Sequence, residues 1–281
     1  MSHAACLLAA FVLSAMGVAA HAAASVTPSP FDDLSAAVPG AQGKTWRDLL
    51  SQIFPDITQS PSPPADVTAT EMSDIRSIGD GDESRIDCDH KIDLASADAR
   101  PIQLGDQHRW IVTLTTKDEC VTPLAMFDGD GKLIDLVNAK GDQHLSFAAD
   151  YLRPLGPAGA LVIAWSFHDN SNESYDDIWL ILAKPDGFSE IGAVSPFGSR
   201  DCHGRFTEEA VIRTAPAMPM ARIDVEVTRR ATKFAKDCVT KRGREVVTTF
   251  DGSWRWSARK HAYEPHTREL DLLAYWDVKQ F

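Results

Sequence analysis

Carboxylates at close spacing make the stretch Met126–Val137 (MFDGDGKLIDLV) the first place to look for chemistry. Asp128, Asp130 and Asp135 could donate oxygen ligands to a calcium ion, because calcium loops of the DxDxDG kind place carboxylates at alternate residues. Calcium takes about six to eight oxygens, however, and the stretch offers few carboxylates beyond these. An Asp-Gly pair between two apolar runs is also a strong short-range signal of a β-hairpin. We therefore predict a hairpin turn here and no metal site.

The same stretch resembles the calcium loop of FG-GAP propeller repeats, whose pattern is D-x-D-G-D-G-x-x-D. Alignment of Gly129 and Gly131 with that pattern puts Met126 at the first ligand position and Ile134 at the last. Asp135 follows one residue late, and a single step along a strand turns a side chain to the opposite face. The resemblance would imply a calcium-stabilised structural domain, and it extends over this loop alone.

A polar segment between two apolar strands, Phe167–Asp177 (FHDNSNESYDD), is the leading candidate for catalysis. His168 with Asp169 or Glu173 could act as a general base and its orienting carboxylate in a hydrolase, or contribute to a metal site. Long polar loops on rigid strands often carry binding groups. Asn, Ser and Asp are also ordinary loop-forming residues, and a solvated loop is the interpretation that we favour.

A second acidic segment, Gly79–Asp93 (GDGDESRIDCDHKID), could gather carboxylates around a cation. Runs of charge are usually solvated, so we predict an exposed acidic loop. Cys88 is assigned to a disulfide, which leaves Cys88 and His90 unconvincing as a pair of metal ligands.

The segment Thr228–Glu245 (TRRATKFAKDCVTKRGRE) is strongly basic and is followed by the aromatic-rich stretch WRWSARKHAYEPH. Basic and aromatic groups together suit an anionic glycan, a lipid headgroup or an acidic protein. A basic hairpin that lies against the acidic remainder of its own domain explains the pattern equally well. The side chains that we single out as candidates for partner binding are Arg229, Arg230, Lys233 and Lys236.

Recognised catalytic signatures are mostly absent from the sequence. It contains no H-E-x-x-H, G-x-S-x-G, P-loop or G-x-G-x-x-G pattern. The S-x-x-K match at Ser257–Lys260 lacks the companion motifs of the penicillin-binding family, and we discount it. We therefore expect a binding protein without cofactors, with a hydrolase built on His168 as the alternative.

One apolar stripe near the start of the chain predicts a helix. Thr45 can cap the start of this helix and Pro55 can end it. The stripe could dock a partner or pack on the protein's own β domain, and we favour packing on the β domain. The stripe consists of Trp46, Leu49, Leu50, Ile53 and Phe54. The Pro- and Ser-rich stretch Thr58–Asp66 that follows is typical of a linker.

From about Glu71 onward, alternating and short apolar runs indicate strands. Three stretches share the order strand, gap, strand, Asp-Gly turn, strand, with the turns at Asp130, Asp186 and Asp251. We predict an all-β antiparallel meander (a sandwich, a barrel or an incomplete propeller-like fold). A short N-terminal helix and a short C-terminal helix at residues 267–277 flank it.

The cysteines and the first residues predict an exported protein. Residues 1–24 lack charged side chains, hold an apolar run and end in A-x-A patterns, as in a bacterial signal peptide. Removal of this signal peptide leaves an even number of cysteines, which suits two disulfides in an oxidising compartment. That compartment would be the periplasm or the medium. Three pairings are open, and we favour Cys88–Cys120 with Cys202–Cys238 because each closes a short loop.

The predicted organisation is a signal peptide at 1–24, an N-terminal segment with helix and linker at 25–66, and a β domain at 67–281. No later run is long and apolar enough for a membrane span in the mature chain. The chain carries 28 basic and 40 acidic side chains, which argues against nucleic acid as a partner. Residues 200–281 differ, with 16 basic and 12 acidic side chains. We expect an envelope protein or an anionic glycan as the partner, and an inhibitor of another protein is one concrete form of this role.

Overall fold

The computed structural model describes residues 31–39, 41, 43–61, 66–78, 91–117, 121–139, 145–157, 159–169 and 173–278. The signal peptide, the Cys88–Cys120 pair and most of the acidic segment 79–93 lie outside the described residues, so these expectations stay predictions. The described residues form two β-sheets and two short helices, which confirms the predicted all-β class.

The first sheet has seven strands and carries the N-terminal helix on it. Its elements are α1 (Trp46–Leu50), β1 (Thr58–Gln59), β2 (Val67–Ala69), β3 (Arg76–Ser77), β4 (Ile92–Leu104), β5 (Gln107–Thr116), β6 (Pro123–Asp128) and β7 (Leu133–Asn138). The strand order is β1-β2-β4-β5-β6-β7-β3, and all neighbours are antiparallel except β3 and β7. Consecutive strands from β4 to β7 pair in chain order, which is the predicted meander.

The second sheet has nine strands, eight of them on its main path, and contains both the basic segment and the segment 167–177. Its elements are β8 (Ser146–Gly156), β9 (Gly159–Asp169), β10 (Glu173–Lys184), β11 (Gly187–Val194), β12 (Phe197–Arg200), β13 (Gly204–Ala215), β14 (Arg222–Phe234), β15 (Lys241–Ser257), β16 (Ala262–Pro265) and α2 (Glu269–Val278). The order along the main path is β16-β15-β14-β13-β12-β10-β9-β8. The ninth strand, β11, pairs with β10 and lies off this path.

Helix α1 begins where the sequence predicts it, because its first turn is capped, but it ends at Leu50 and not at Pro55. The Asp48 backbone N–H donates to Thr45 Oγ1 (3.2 Å), and the Thr45 backbone N–H donates to Asp48 Oδ2 (2.8 Å). The Thr45 backbone N–H and hydroxyl, which both donate to Asp48 Oδ2, hold the pKa of Asp48 below its ordinary value. The whole predicted stripe is buried in one cluster with Val112, Leu114 and Phe127 of the first sheet. The stripe therefore faces the protein's own sheet.

Two of the three predicted Asp-Gly turns are present. At the first, Asp128 Oδ1 accepts the backbone N–H groups of Asp130 (2.9 Å) and Lys132 (2.8 Å), and Gly131 has a φ of 77°. Only glycine adopts such an angle readily, so the sequence and the turn agree. The second turn, at Asp186, joins β10 to β11. The stretch Met126–Val137 is thus a hairpin between β6 and β7.

The third predicted turn, at Asp251-Gly252, is wrong. Both residues lie inside β15, where Gly252 pairs with Val225 and Asp251 with Glu226. A side chain at position 252 would overlap Leu270 of α2. The glycine is present because a helix packs against the strand at this point, and the chain does not turn there.

Three buried clusters hold these layers together. The first lies between α1 and the first sheet, and the second joins Ile111 and Met126 of that sheet to Val162 and Ile181 of the other. The third packs β9 and β10 against β14, β15 and Leu273 of α2, the predicted C-terminal helix. Among the described residues, neither helix is long and apolar enough to cross a membrane.

Candidate binding site on a basic hairpin

The basic segment forms a hairpin, which we call the basic hairpin (residues 228–245), from the end of β14 and the start of β15. Its turn closes through Ala235 N–H to Thr240 O (2.8 Å) and Cys238 N–H to Ala235 O (3.0 Å). Asp237 Oδ1 accepts the backbone N–H groups of Val239 (3.1 Å) and Thr240 (2.8 Å). The hydroxyl of Thr240 and these amides hold the pKa of Asp237 below its ordinary value.

A disulfide fixes the tip of this hairpin to the neighbouring turn. Cys202, between β12 and β13, is bonded to Cys238, with 4.2 Å between their Cα atoms, as the loop-length argument predicts. Asp201 Oδ1 caps the partner turn by accepting the backbone N–H groups of His203 (2.6 Å) and Gly204 (2.9 Å), which lowers the pKa of Asp201. The Phe234 N–H also donates to His203 O at 2.9 Å. The tip is therefore held in place before any partner arrives.

Arg229, one of the four predicted contact residues, belongs to the interior of the site. Its Nη1 lies 3.2 Å from Glu208 Oε1, and the two side chains are 10% and 0% exposed. Its guanidinium lies 4.0 Å from the centre of the Phe206 ring, a cation–π contact. Glu208 also accepts the Phe197 backbone N–H at 3.1 Å. Arg229 supports the sheet and is not accessible to a partner as an exposed cation would be.

The remaining cations of the basic hairpin are exposed, and most lack an acidic partner. Arg230 lies 3.8 Å from Glu245 across the hairpin, with about half of each side chain exposed. The others have no carboxylate within 4.0 Å in the part of the chain that the structure describes. We call these the unpaired cations: Lys233, Lys236, Lys241, Arg242 and Arg244. Two of them, Lys233 and Lys236, are among the four contact residues predicted from the sequence. Charge alone does not reveal which cations have internal partners.

A cavity of about 330 Å³ opens beside the hairpin and joins it to the acidic segment 167–177. Register places Glu173, Ser199, Phe206 and Ala231 in one row across β10, β12, β13 and β14. These four residues line the cavity together with Lys233, His203 and Arg229. The structure thus brings Glu173 and Lys233, which are 60 positions apart in the chain, to one cavity.

The segment 167–177, predicted as a long loop, is mostly strand. His168 pairs with Tyr175 and Asp169 with Ser174 in the ladder between β9 and β10. The side chains of His168 and Asp169 lie outside the described part of the structure, so the proposed base and its carboxylate stay a prediction.

The three aspartates weighed as calcium ligands have separate partners or none. Asp128 caps its own turn, as described above, while Asp135 forms two contacts with Arg76 (Nη2–Oδ2 2.7 Å, Nε–Oδ1 3.2 Å). Asp135 Oδ2 also accepts the Phe188 backbone N–H at 2.8 Å. Across the described ranges, no three His, Cys, Asp or Glu side chains come together as metal ligands would.

A second cavity, of about 470 Å³, is mainly apolar and lies between β8, β9, β10 and β13. Ile163, Ile178 and Ile212 line it, with Asp150 and Arg153 at its edge. Asp176 of the candidate segment 167–177 also lines it, whereas His168, Asp169 and Glu173 do not.

Comparison with protein-family models, with curated proteins and with solved structures finds no match to this chain. The chemistry that the basic hairpin offers is the binding of anionic groups. Among the described residues, five cations without acidic partners lie on or beside a turn that a disulfide and two aspartate caps hold closed.

Proposed function

We propose that this protein is an exported, non-enzymatic binding protein of the bacterial envelope that docks on an acidic surface of another protein through its basic hairpin. Inhibition of that partner is the role that fits a rigid scaffold with one contact surface. The observation that carries the proposal is the set of unpaired cations on the disulfide-tied tip of the hairpin.

Charge distribution supports this choice of partner. The chain has a formal net charge of −12, so a basic surface on it stands out against an acidic remainder. Such a separation orients the molecule in the field of an acidic partner, with the basic hairpin toward that partner. Because Glu208 and Glu245 occupy only Arg229 and Arg230, the other cations stay available for carboxylates from outside.

Rigidity supports a protein partner over a flexible polymer. Ordering long loops on binding would cost conformational entropy, and a turn that is already closed avoids most of that cost. The backbone of the tip is fixed by the Cys202–Cys238 bond and by the aspartate caps. Only the lysine and arginine side chains need to be ordered when the partner binds.

Charge reversal with a matched control tests the proposal. Arg242→Glu with Arg244→Glu changes the basic hairpin, and Lys132→Glu with Arg268→Glu makes the same change in net charge at exposed sites elsewhere. Each purified protein is immobilised and exposed to an envelope extract at several salt concentrations. We expect the hairpin variant to retain about tenfold less of a saturable protein partner. The control variant should match the unchanged protein.

Three results would overturn this proposal. Equal loss in both variants would show a general charge effect, and retention that survives protease but not glycosidase treatment of the extract would assign the hairpin to an anionic glycan. Absence of any saturable partner across the salt series would remove the binding role itself.

A further inference from the structure

Strand β15 presents an unpaired edge beside the unpaired cations. Among the described residues, β15 pairs with β14 on one side, and on the other side it pairs with β16 from Trp254 to Ser257 alone. All nine residues from Lys241 to Thr249 are exposed. This length of edge therefore faces solvent along both surfaces of the hairpin.

The start of α2 shows where this edge ends and which backbone groups point outward. The Asp251 N–H donates to Glu269 Oε2 (3.0 Å), and the Ser253 N–H donates to Thr267 Oγ1 (3.1 Å). In an antiparallel strand, the backbone groups of alternate residues point to the same side. Thr249 and Val247 therefore also direct their N–H and C=O groups away from β14, and no hydrogen bond to these groups is present among the described residues.

The composition of this edge divides into two parts. Val246, Val247, Thr248 and Thr249 form an uncharged, β-branched run, in which the two valines are 59% and 51% exposed. Such residues favour strands, and an exposed edge of this kind is a template for strand addition. The cations Lys241, Arg242 and Arg244 precede the run on the same strand. A strand placed here would meet an uncharged half and a basic half.

We infer that an extended acidic segment of the partner adds to β15 as a further strand, with its carboxylates beside the basic half and small or β-branched residues beside Val247 and Thr249. The inference rests on the proposed function and names the form in which the partner binds. The regular edge from Val246 to Thr249 spans roughly 13 Å, which suits a short strand. A bulge at residues 243–245, where Gly243 has a φ of 84°, separates this edge from Lys241 and Arg242. Main-chain hydrogen bonds would supply affinity, and the cations would select acidic segments.

A second copy of this chain fits the edge less well. In an antiparallel pair related by a two-fold axis, opposite residues share a face, so the axis passes through one residue, which faces its own copy. Centring on Val247 pairs the uncharged runs but sets Arg244 opposite Phe250, so no carboxylate meets this cation. Centring on Glu245 sets two carboxylates opposite each other, which is unfavourable. Centring on Val246 sets Lys241 of each copy opposite Asp251, where Glu269 and Thr267 already occupy the edge. Parallel pairing would bring the two basic halves together.

Peptide binding with a backbone control tests the inference. The probe is a blocked nine-residue peptide of alternating threonine and valine that ends in three glutamates, made in both chain directions. Its control has the same side chains but N-methyl groups on its central residues, so it cannot donate backbone hydrogen bonds. We expect one direction to bind the full protein and to slow amide exchange at Val247 and Thr249. The N-methylated copy should bind at least about tenfold more weakly.

Proline at the edge gives the complementary test on the protein. Val247→Pro removes an outward N–H that takes no part in the ladder with β14, which an edge strand tolerates. Val247→Ala keeps that N–H and is the matched control. We expect about tenfold weaker peptide binding in the proline variant than in the alanine variant, with unchanged thermal midpoints. The peptide comparison decides the matter if the proline variant does not fold.

The outcomes separate this inference from the proposed function. The plain and N-methylated peptides could bind equally well, and the Arg242→Glu and Arg244→Glu pair could weaken both. That result would keep the basic hairpin as the binding site and overturn strand addition. No binding of either direction at millimolar concentration would overturn it as well. Concentration-dependent dimerisation in sedimentation that Val247→Pro abolishes would give the edge to a second copy.

Discussion

Two hairpins of this protein carry conspicuous charge, and they use it in opposite ways. In the hairpin of β6 and β7, Asp128 caps its own turn and Asp135 is held by Arg76 and a backbone amide. In the basic hairpin, five cations have no acidic partner among the described residues. Both stretches were conspicuous in the sequence for the same reason, a high density of charge.

The difference lies in what surrounds each hairpin. The acidic one packs under α1 and beside β11, so neighbouring backbone amides and Arg76 are within reach of its carboxylates. The basic one projects from the sheet, and its own strand from Lys241 to Thr249 is exposed on both surfaces. Charge density therefore indicates a binding surface only where the fold provides no internal partners.

The largest effect on stability is expected from the disulfide, which only the basic hairpin has. Replacing Cys202 and Cys238 by serine removes a cross-link between residues 36 positions apart. Loop-closure entropy predicts a loss of about 4 kcal/mol in the free energy of unfolding. Urea denaturation measures it, and amide exchange should quicken at the basic hairpin but not in β6 and β7. Uniform quickening in both hairpins would contradict the comparison.

Arg229 should come next, because it is the one cation of the basic hairpin that is buried with a partner. Arg229→Met leaves Glu208 buried without its cation and should cost about 3 kcal/mol. Adding Glu208→Gln should restore much of the loss, since the amide can still accept the Phe197 N–H. Urea denaturation of both variants checks this. A loss of unfolding free energy no larger than that of an ordinary surface substitution would mean that Arg229 does not stabilise the fold.

Asp135 provides the matching test in the acidic hairpin. Asp135→Ala breaks its contacts with Arg76 and Phe188 and should cost about 2 kcal/mol. Asp130→Ala is the control on the same turn, because the Asp130 carboxylate is exposed and makes no contact there. Equal costs for the two alanine variants in thermal melts would argue against internal use of the charge.

Acid should loosen the tip of the basic hairpin. The pKa values of Asp201 and Asp237 lie below their ordinary values because backbone amides and the Thr240 hydroxyl bond the carboxylates. A carboxyl group whose pKa is lower in the folded protein than in the unfolded chain stabilises the fold. The stabilisation is complete above the unfolded pKa of about 3.9 and is lost as the pH falls through the pKa of the folded state. Amide exchange at Val239 and Thr240, corrected for intrinsic rates, should quicken below about pH 4. Asp237→Asn should flatten that dependence.

Calcium should have the smallest effect. Binding to the folded state alone adds about 2.7 kcal/mol at 100 times the dissociation constant, which would raise the midpoint by several degrees. Because Asp128 and Asp135 have internal partners, we expect equal midpoints in millimolar calcium and in EDTA. A clear calcium shift would mean that these carboxylates release their partners for a metal, and the contrast between the two hairpins would fail.

Features set by a few neighbouring residues were predictable from the sequence. Thr45 and Asp48 cap α1, and Asp130-Gly131 and Asp186-Gly187 form turns, because such geometry depends on residue types at short range. Pro101 shows the limit of such rules. It lies inside β4, although proline disfavours central strands, and it is tolerated because β2 pairs with β4 only from Ile92 to Leu94.

The sequence by itself determined the all-β class, the caps, two of the three Asp-Gly turns and the spacing that joins Cys202 to Cys238. Tertiary structure alone decided that Gly252 accommodates Leu270, that Arg229 pairs with Glu208, and that Glu173 meets Lys233 in one cavity. The reason is that turns and caps form within a few residues, whereas the partner of a charge depends on strand register between distant segments. Which charges remain for another molecule is therefore a property of the fold.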